Sequence, residues 1–439
     1  MVLSPPRPEC TPIGTRTLAR VTRRLIPFIF LLYVINFLDR VNIGYAALDM
    51  TKELGFSNEV FGFGAGIFFV GYVLLQIPGT MLVELWSARK WIAGILIVWG
   101  ALASLTGFVQ SATELYIIRF FLGAAEAGFF PGMILYLTHW YPPGDRAKVT
   151  ALFLAAIPVS NIFGAPLAGL LMRVNWLGYA GWRWLLVLEG LPALIAGVVT
   201  LFYLTDRPKD ARWLEDDERR WLIATLAREQ QTIKSTVPPL TAWQALRHRQ
   251  VVLLSLVYFF MTTSLYGLGL WLPKVVQELS GYGTLQVTLV AGIPYLAALP
   301  AMLFAGWHSD KTGERRLHCA LPMFLVALGL GLSQAAGSNV VLAIAMFAVA
   351  AAGIYASLAP FWSLPTIFLT ETAAAAGIAL INSVGNLGGF FGPYVIGFIS
   401  ARTGTYTAAM MYLVGSACVA GLLMLSLGAA KRTASARPV

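Results

Sequence analysis

"GWHSDKTGERR", Gly306 to Arg316, is a short charged stretch between two long apolar runs. Its order is a glycine, an acid and a base (Asp310 and Lys311), a second glycine (Gly313), then Glu314, Arg315 and Arg316. Charges so closely spaced do not lie in hydrocarbon, where each costs about 2.5–3.5 kcal/mol or more. The stretch reads as a tight hydrophilic loop joining two membrane spans. A weaker copy, "VELWSARKW" (Val83–Trp91), stands in the first half of the chain, with Glu84 near the acid position and Ser87 near that of the second glycine.

Outward from these loops, a window of about 19 residues finds twelve apolar segments, near 25–46, 58–82, 90–110, 113–137, 147–172, 182–204, 250–272, 285–307, 318–337, 340–363, 374–400 and 406–428. The two loops follow the second and eighth segments, six apart. The same offset relates "NIFGAPLAG" (Asn161–Gly169) in the fifth segment to "NLGGFFGPYVIG" (Asn386–Gly397) in the eleventh. An even offset keeps the inside–outside sense, so the repeat is parallel, with its axis along the membrane normal. Matched Gly/Pro interruptions in two halves point to a transporter with its site between them. Close helix packing through small residues accounts for the same glycines, and the two readings are compatible.

Composition agrees. The chain of 439 residues is 58% hydrophobic and 12% charged, about half the charged fraction of soluble domains. The fold class is therefore an all-α integral membrane protein with twelve transmembrane helices. The first segment is too long for a cleaved signal peptide and lacks a small-residue cleavage site. Residues 1–15, polar and Pro-rich, are expected to be disordered. Cys10, Cys319 and Cys418 show no metal or disulfide spacing.

Orientation follows from Lys and Arg. With both termini cytoplasmic, the outer loops hold only Lys52, Arg173, Arg183, Lys274 and Arg402, and Arg40 and Arg119 lie within spans. The rest of the 31 Lys and Arg fall inside. The net charge of +10 is thus a topology signal, and nucleic acid is not an expected partner. The domains read as a cytoplasmic tail 1–24, a six-helix half 25–204, a cytoplasmic central loop 205–249, a six-helix half 250–428 and a cytoplasmic tail 429–439. Within the central loop, Asp216 to Glu229 reads as a surface helix and a structural linker.

Span 4 carries "RFFLGAAEAGFFPG" (Arg119–Gly132), with two opposite charges, Arg119 and Glu126. Seven residues apart, they share one helix face, roughly 10 Å apart along the axis. Gly123 between them leaves room for a neighbouring helix or a ligand. Span 1 carries Asp39 and Arg40, which as adjacent residues point about 100° apart. The four charges sum to zero when ionised. Buried ion pairs are a poor way to gain stability, since apolar residues of similar size do as well. Function is the better account. Asp39 and Glu126 can titrate, whereas Arg keeps its proton and offers a planar fork to a substrate carboxylate. Protonating a carboxylate frees its Arg partner for the arriving anion.

Gly306, Asp310, Lys311, Gly313 and Arg315 resemble the loop motif of the major facilitator superfamily, in which such a loop gates transport between two six-helix halves. A narrower resemblance, to its anion:cation symporter family, rests on "LIPFIFLLYVINFLDRVNIGYAAL" in span 1, "RFFLGAAEAGFFPGMILYLTHWYP" in span 4 and "GWRWLLVLEGLPA" in span 6. Members import organic anions, generally driven by protons. The resemblance implies a proton-coupled importer of an organic anion in the cell inner membrane, a monomer, with no cofactor beyond the coupling proton. It places spans 1 and 4 side by side at a central cavity. It carries proton coupling onto Asp39 and Glu126 and substrate binding onto Arg40 and Arg119. Arg40 is the expected partner of the substrate carboxylate and Arg119 of a proton-binding acid, with the exchange of these roles left open. Tyr72, Trp362, Ser363 and Asn386 lie at heights where the family contacts substrate. Drug antiporters are the nearest rival, but their span-5 Gly-Pro motif is only partly met by Gly164, Pro166 and Gly169.

Glu189, in "RWLLVLEG", reads as structural, bonded to Arg183 or to a backbone group. His139, His248, His308 and His318 fall near span ends and form no metal pattern. No P-loop and no Gly-x-Ser-x-Gly elbow occurs, so neither ATP-driven transport nor hydrolysis is expected. The cavity-side part of span 5, "LFLAAIPVSN", offers no side-chain hydroxyl partner at Ala155, Ala156, Ile157 or Pro158. Phe37, Tyr72 and Trp362 suit a flat ring or a compact acid. An aromatic carboxylate or a small di- or hydroxy-acid is therefore expected over a hexonate or hexuronate. The sugar-acid alternative requires amides elsewhere, such as Asn382 and Asn386. An exporter and a non-transporting receptor are the remaining readings.

Overall fold

The computed structural model describes residues 11–234, 248–365 and 371–427. Among the described residues the regular structure is all helical, and twelve helices are long and apolar enough to cross a membrane. Spans 1 to 6 are Pro12–Glu53, Asn58–Gln76, Ala88–Thr106, Ala112–Thr138, Gly144–Leu171 and Gly181–Tyr203. Spans 7 to 12 are Arg249–Ser280, Thr284–Thr312, Leu317–Ala335, Val340–Ser363, Gly377–Thr403 and Thr407–Ser426. Each overlaps one expected segment. Ser57, Ser87, Ser111 and Asn339 cap spans 2, 3, 4 and 10, each side-chain oxygen accepting from a backbone N–H three residues on.

Three spans are broken, two of them close to a proline. Span 4 is two helices, Ala112–Glu126 and Phe129–Thr138. Pro131 has no N–H to offer the Ala127 carbonyl, and its ring crowds that group. Span 5 breaks at Ala155 between Pro143–Leu154 and Ala156–Leu171, four residues before Val159 and three before Pro158. Pro158 likewise cannot bond the Leu154 carbonyl. Span 11 breaks at Leu387, ahead of Gly388 and Gly389.

The N-terminus departs from expectation. Residues 1–15 were expected to be disordered, yet the first helix starts at Pro12, with Thr11 as its N-cap accepting from Gly14 N at 3.2 Å. Proline suits a first helical position, where the missing N–H has no partner to lose. Residues 1–10, the end of the central loop (235–247) and the tail 429–439 lie outside the described residues. The early start has a tertiary cause. Arg16 and Arg20, one turn apart, meet the acidic start of the surface helix Asp216–Lys234. Arg16 pairs with Asp217 at 2.6 Å and Glu218 at 3.0 Å, and Arg20 with Glu215 at 2.8 Å and Glu218 at 3.0 Å. Arg24 stacks on Tyr203 and Trp213, pinning the linker where span 6 ends.

The chain divides into two compact units, one within Met1–Val237 and Gly269–Gly292, the other within Pro238–Leu268 and Ile293–Val439. The first unit includes the end of span 7 because Leu270 lies against Gly44, and the Trp271 ring meets Phe61 at 5.0 Å. Lys274 also donates to Asn58 Oδ1 at 3.1 Å. In the second unit, Gly388 and Gly392 of span 11 lie directly on the backbone of span 7 near Phe259 and Thr263.

In the first unit, Gly71 of span 2 lies on the Phe120 carbonyl of span 4, and Gly123 of span 4 on the Phe68 carbonyl of span 2. The room left by Gly123 is thus filled by span 2. A Cβ at Gly123 would overlap a backbone oxygen, which cannot rotate away. Overpacking of this kind costs about 1–3 kcal/mol. Gly123→Val is therefore expected to lower the melting temperature of the detergent-purified protein by several degrees. A melting temperature equal to wild type would refute the contact.

Candidate functional site

The crossing of spans 2 and 4 brings Phe68 and Tyr72 up to the charges of spans 1 and 4. Arg40 makes an ion pair with Glu126, and both side chains are buried. The Arg40 guanidinium lies 5.2 Å from the Tyr72 ring, 5.6 Å from Phe37 and 5.7 Å from Phe68. Arg119 takes the same Phe68 ring at 4.8 Å. Two guanidiniums from different helices thus share one aromatic ring, an arrangement that stabilises cations taken out of water.

Asp39 points elsewhere, as the angle between neighbouring helix residues requires. The indole N–H of Trp99 in span 3 donates to Asp39 Oδ2, and Asn42 Nδ2 donates to Oδ1 at 3.0 Å. Asp39 and Arg40 are the charged neighbours of Arg119. Arg119 is 1% exposed, and its Nε and Nη2 have no hydrogen-bond partner among the described residues. Glu126 Oε2 and both amide atoms of Asn36 are likewise buried without partners. Glu126 is also the last residue of its helix segment, where carbonyl oxygens rather than N–H groups face the break. Buried donors left unpaired cost about 1–3 kcal/mol each, more when charged. An anion presented to Arg119 would remove that cost.

Of the expected site residues, Asp39, Arg40, Arg119, Glu126 and Tyr72 come together in the first unit. Arg119 was expected to partner a proton-binding acid. Of the two acids, Glu126 is paired with Arg40, and Asp39, the acid that neighbours Arg119, accepts hydrogen bonds from Trp99 and Asn42. Trp362, Ser363 and Asn386 belong to the second unit. There Trp362 packs edge-on to Tyr258 at 4.9 Å and Ser363 donates to Ala359 O at 3.3 Å. Asn386 donates to Asn382 O at 2.9 Å and to its Oδ1 at 3.1 Å.

The stretch expected to be a loop after span 8 is mostly helix: Gly306–Thr312 continue span 8, and the chain leaves the helix only at Gly313. Gly313 has φ +69°, a left-handed turn that glycine adopts without strain. Arg315 then folds back to Asp310 Oδ1 at 2.5 Å and Ser309 Oγ at 3.0 Å. Lys311 lies over Trp307 at 5.1 Å, and Gly306 makes ordinary contact with Ala359. The weaker first copy uses a different acid: Asp206 accepts from Ser87 Oγ at 2.9 Å and from Arg89 N at 2.8 Å. The side chain of Glu84 lies outside the described residues.

Four residues escaped sequence reading: Asn36, Asn42, Phe68 and Trp99. The two asparagines had a signal, because Asn36, Asp39 and Asn42 recur every three residues along span 1. Phe68 and Trp99 had none, since nothing along spans 2 and 3 tells which aromatic meets a charge of another span. Glu189 needs correction. Arg183 bonds Glu53 at 3.0 Å and the Gly107 and Val109 carbonyls, while Glu189 is buried with Asp39 and Asn42 as its polar neighbours.

A model of the Major Facilitator Superfamily matches residues 29–393. The chain is 48% identical over 416 residues to a putative tartrate transporter of Agrobacterium vitis, covering 94% of this chain and 95% of that protein. It is 38% identical over 398 residues to a quinolone resistance transporter of Acinetobacter baumannii, covering 90% of each. A bacterial homologue of the human lysosomal transporter Spinster, solved inward-facing and occupied, superposes with a TM-score of 0.74 at 16% identity. That match covers 91% of this chain and 95% of the other.

Proposed function

Starting from a chain that belongs to the Major Facilitator Superfamily, and is a multi-pass transporter rather than an enzyme, we propose that it imports a small organic anion together with protons. The observation that carries this reading is Arg119, a buried guanidinium with two unpartnered donors beside a second guanidinium that is ion-paired. The fork of Arg119 takes one substrate carboxylate. Protonation of Glu126 releases Arg40, which then takes the second. Glu126 and Asp39 are the proton-coupling residues. The halves 25–204 and 250–428 rock about the site, opening it to each side in turn. The chain works as a monomer in the inner membrane with both termini cytoplasmic, in keeping with its Lys and Arg distribution.

The substrate class follows from the pair of guanidiniums over Phe68. A dicarboxylate of tartrate size meets both with charge-assisted hydrogen bonds, and the relatives from Agrobacterium vitis support that choice. A hexonate would need hydroxyl partners that Ala155, Ala156 and Pro158 do not supply.

The test is uptake of labelled L-tartrate into proteoliposomes with an acidic exterior. Expected is accumulation that collapses when the gradient is dissipated, and competition by tartrate-like or benzoate-like anions ahead of gluconate and glucuronate. Gluconate or glucuronate competing best would overturn the substrate class and shift hydroxyl reading to Asn382 and Asn386. The quinolone resistance relative favours a second reading, proton-coupled export. It requires accumulation under the opposite gradient. Binding without any flux would indicate a receptor.

A further inference from the structure

Glu189 is a third buried carboxylate in the first unit, 5% exposed, and the coupling scheme above leaves it unused. Its position is fixed by a close crossing. Gly100 of span 3 lies 2.8 Å, measured from an added Cβ, from both the Gly190 carbonyl and Leu194 N of span 6. The two helices run antiparallel, with Gly190 against Ser104, so Glu189 lies at the level of Ser104, and it is span 1 that brings Asn42 and Asp39 to it. Trp99 donates to Asp39, and Asn42 donates to Asp39 and also neighbours Glu189. Glu189 Oε2 has no hydrogen-bond partner among the described residues.

We infer that Glu189 and Asp39 form a carboxylate pair bridged by Asn42, and that this pair carries a second transported proton. The inference rests on the proton-symport reading above.

The amide suits both states. With both carboxylates ionised, its two N–H groups can serve one oxygen of each. With Glu189 protonated, the Asn42 carbonyl can accept the Glu189 O–H while an N–H stays on Asp39. The charges facing Glu189 leave room for that proton. Span 1 presents Asp39 and, one residue on, Arg40. Span 3 has no charged residue from Trp91 to Thr106, and span 5 has none from Ala156 to Leu171. On its own helix, Arg183 is committed to Glu53.

Charge then decides the stoichiometry. Asp39, Glu126 and Glu189 are three carboxylates set against two guanidiniums, Arg40 and Arg119. The empty, fully ionised site therefore carries one net negative charge. One proton on Glu126 and one on the Asp39–Glu189 pair, together with a dianion, leave that net charge as it was. Neither the dianion alone nor one proton with it does so. Two protons therefore enter per dicarboxylate, and the cycle moves no net charge.

The experiment uses the full chain in proteoliposomes, labelled L-tartrate as probe, and potassium with valinomycin to set the membrane potential. At zero potential, one pH unit should accumulate tartrate about a hundredfold in the wild type and about tenfold in Glu189→Gln, since each coupled proton contributes one factor of ten. Wild-type accumulation should not respond to potential. Glu189→Gln should be slowed by an inside-negative potential, because one proton with a dianion carries negative charge inward. No proton drive, or no tartrate uptake, in the wild type would overturn this inference and the symport reading together. A proton-driven wild type carrying one proton per tartrate, or a Glu189→Gln variant with the wild-type ratio and no voltage response, would overturn the inference alone. Should Glu189→Gln be inactive, Glu189→Asp decides. Recovery of the two-proton ratio supports the pair, and an inactive Glu189→Asp makes Glu189 structural and refutes it.

Discussion

Glu126→Gln should lose tartrate accumulation under an outside-acid gradient, by at least about tenfold per pH unit, while tartrate-for-tartrate exchange continues. Gln mimics the protonated acid, so Arg40 is released permanently and can serve substrate at any pH. In the wild type, protonating Glu126 removes its ion pair with Arg40, so tartrate binding should be strong at low pH and fall as pH rises. The variant should bind tartrate with a weaker dependence on pH, keeping only what the Asp39–Glu189 pair contributes. Uptake with and without the gradient, together with binding titrations across pH, measures both effects. Accumulation equal to wild type would reduce the Arg40–Glu126 pair to a static salt bridge. Its burial would then have no functional account, since apolar residues fill such positions at no greater cost.

Arg119→Ala should weaken tartrate binding by more than about a hundredfold. Hydrogen bonds to charged groups contribute about 1.5–3 kcal/mol each, and Arg119 has two donors free for a carboxylate. Arg119→Lys keeps the charge but loses the fork, so it should recover only part of the affinity. Calorimetry on purified protein reads the difference directly. Wild-type affinity in Arg119→Ala, with affinity lost in Arg40→Ala, would return the substrate role to Arg40. The Arg40 variant is the less clean probe, because it also leaves Glu126 buried without its cation.

Much of the fold was legible because a bilayer reduces folding to a question of length and composition. A segment of about 20 apolar residues must be helical, since no water is present to satisfy its backbone. The twelve spans needed nothing more. Breaks fall close to Pro131 and Pro158, yet Pro27, Pro192 and Pro273 stay inside unbroken helices, so a proline in the sequence did not by itself mark a break. The start of span 1 was misread at 1–15 because the partners of Arg16 and Arg20 lie some 195–201 residues away, in an acidic run after span 6.

The four charged residues were also visible in the sequence, as costly groups in apolar helices. Which of them meet was not. The spacing of Arg119 and Glu126 puts them on one face of one helix, yet Glu126 pairs with Arg40, 86 residues away in sequence. Glu189 looked like a neighbour of Arg183 along span 6, yet it lies beside Asp39 and Asn42 of span 1. Periodicity along a helix fixes the direction in which a side chain points. What it meets there depends on where other helices cross, and those crossings are set by backbone contacts at Gly71, Gly100, Gly123 and Gly190. A glycine in the sequence permits such an approach without naming its partner. The sequence therefore determined the spans and the charged residues they carry, and only the tertiary structure decided the pairing, because the pairing depends on the distance between helices.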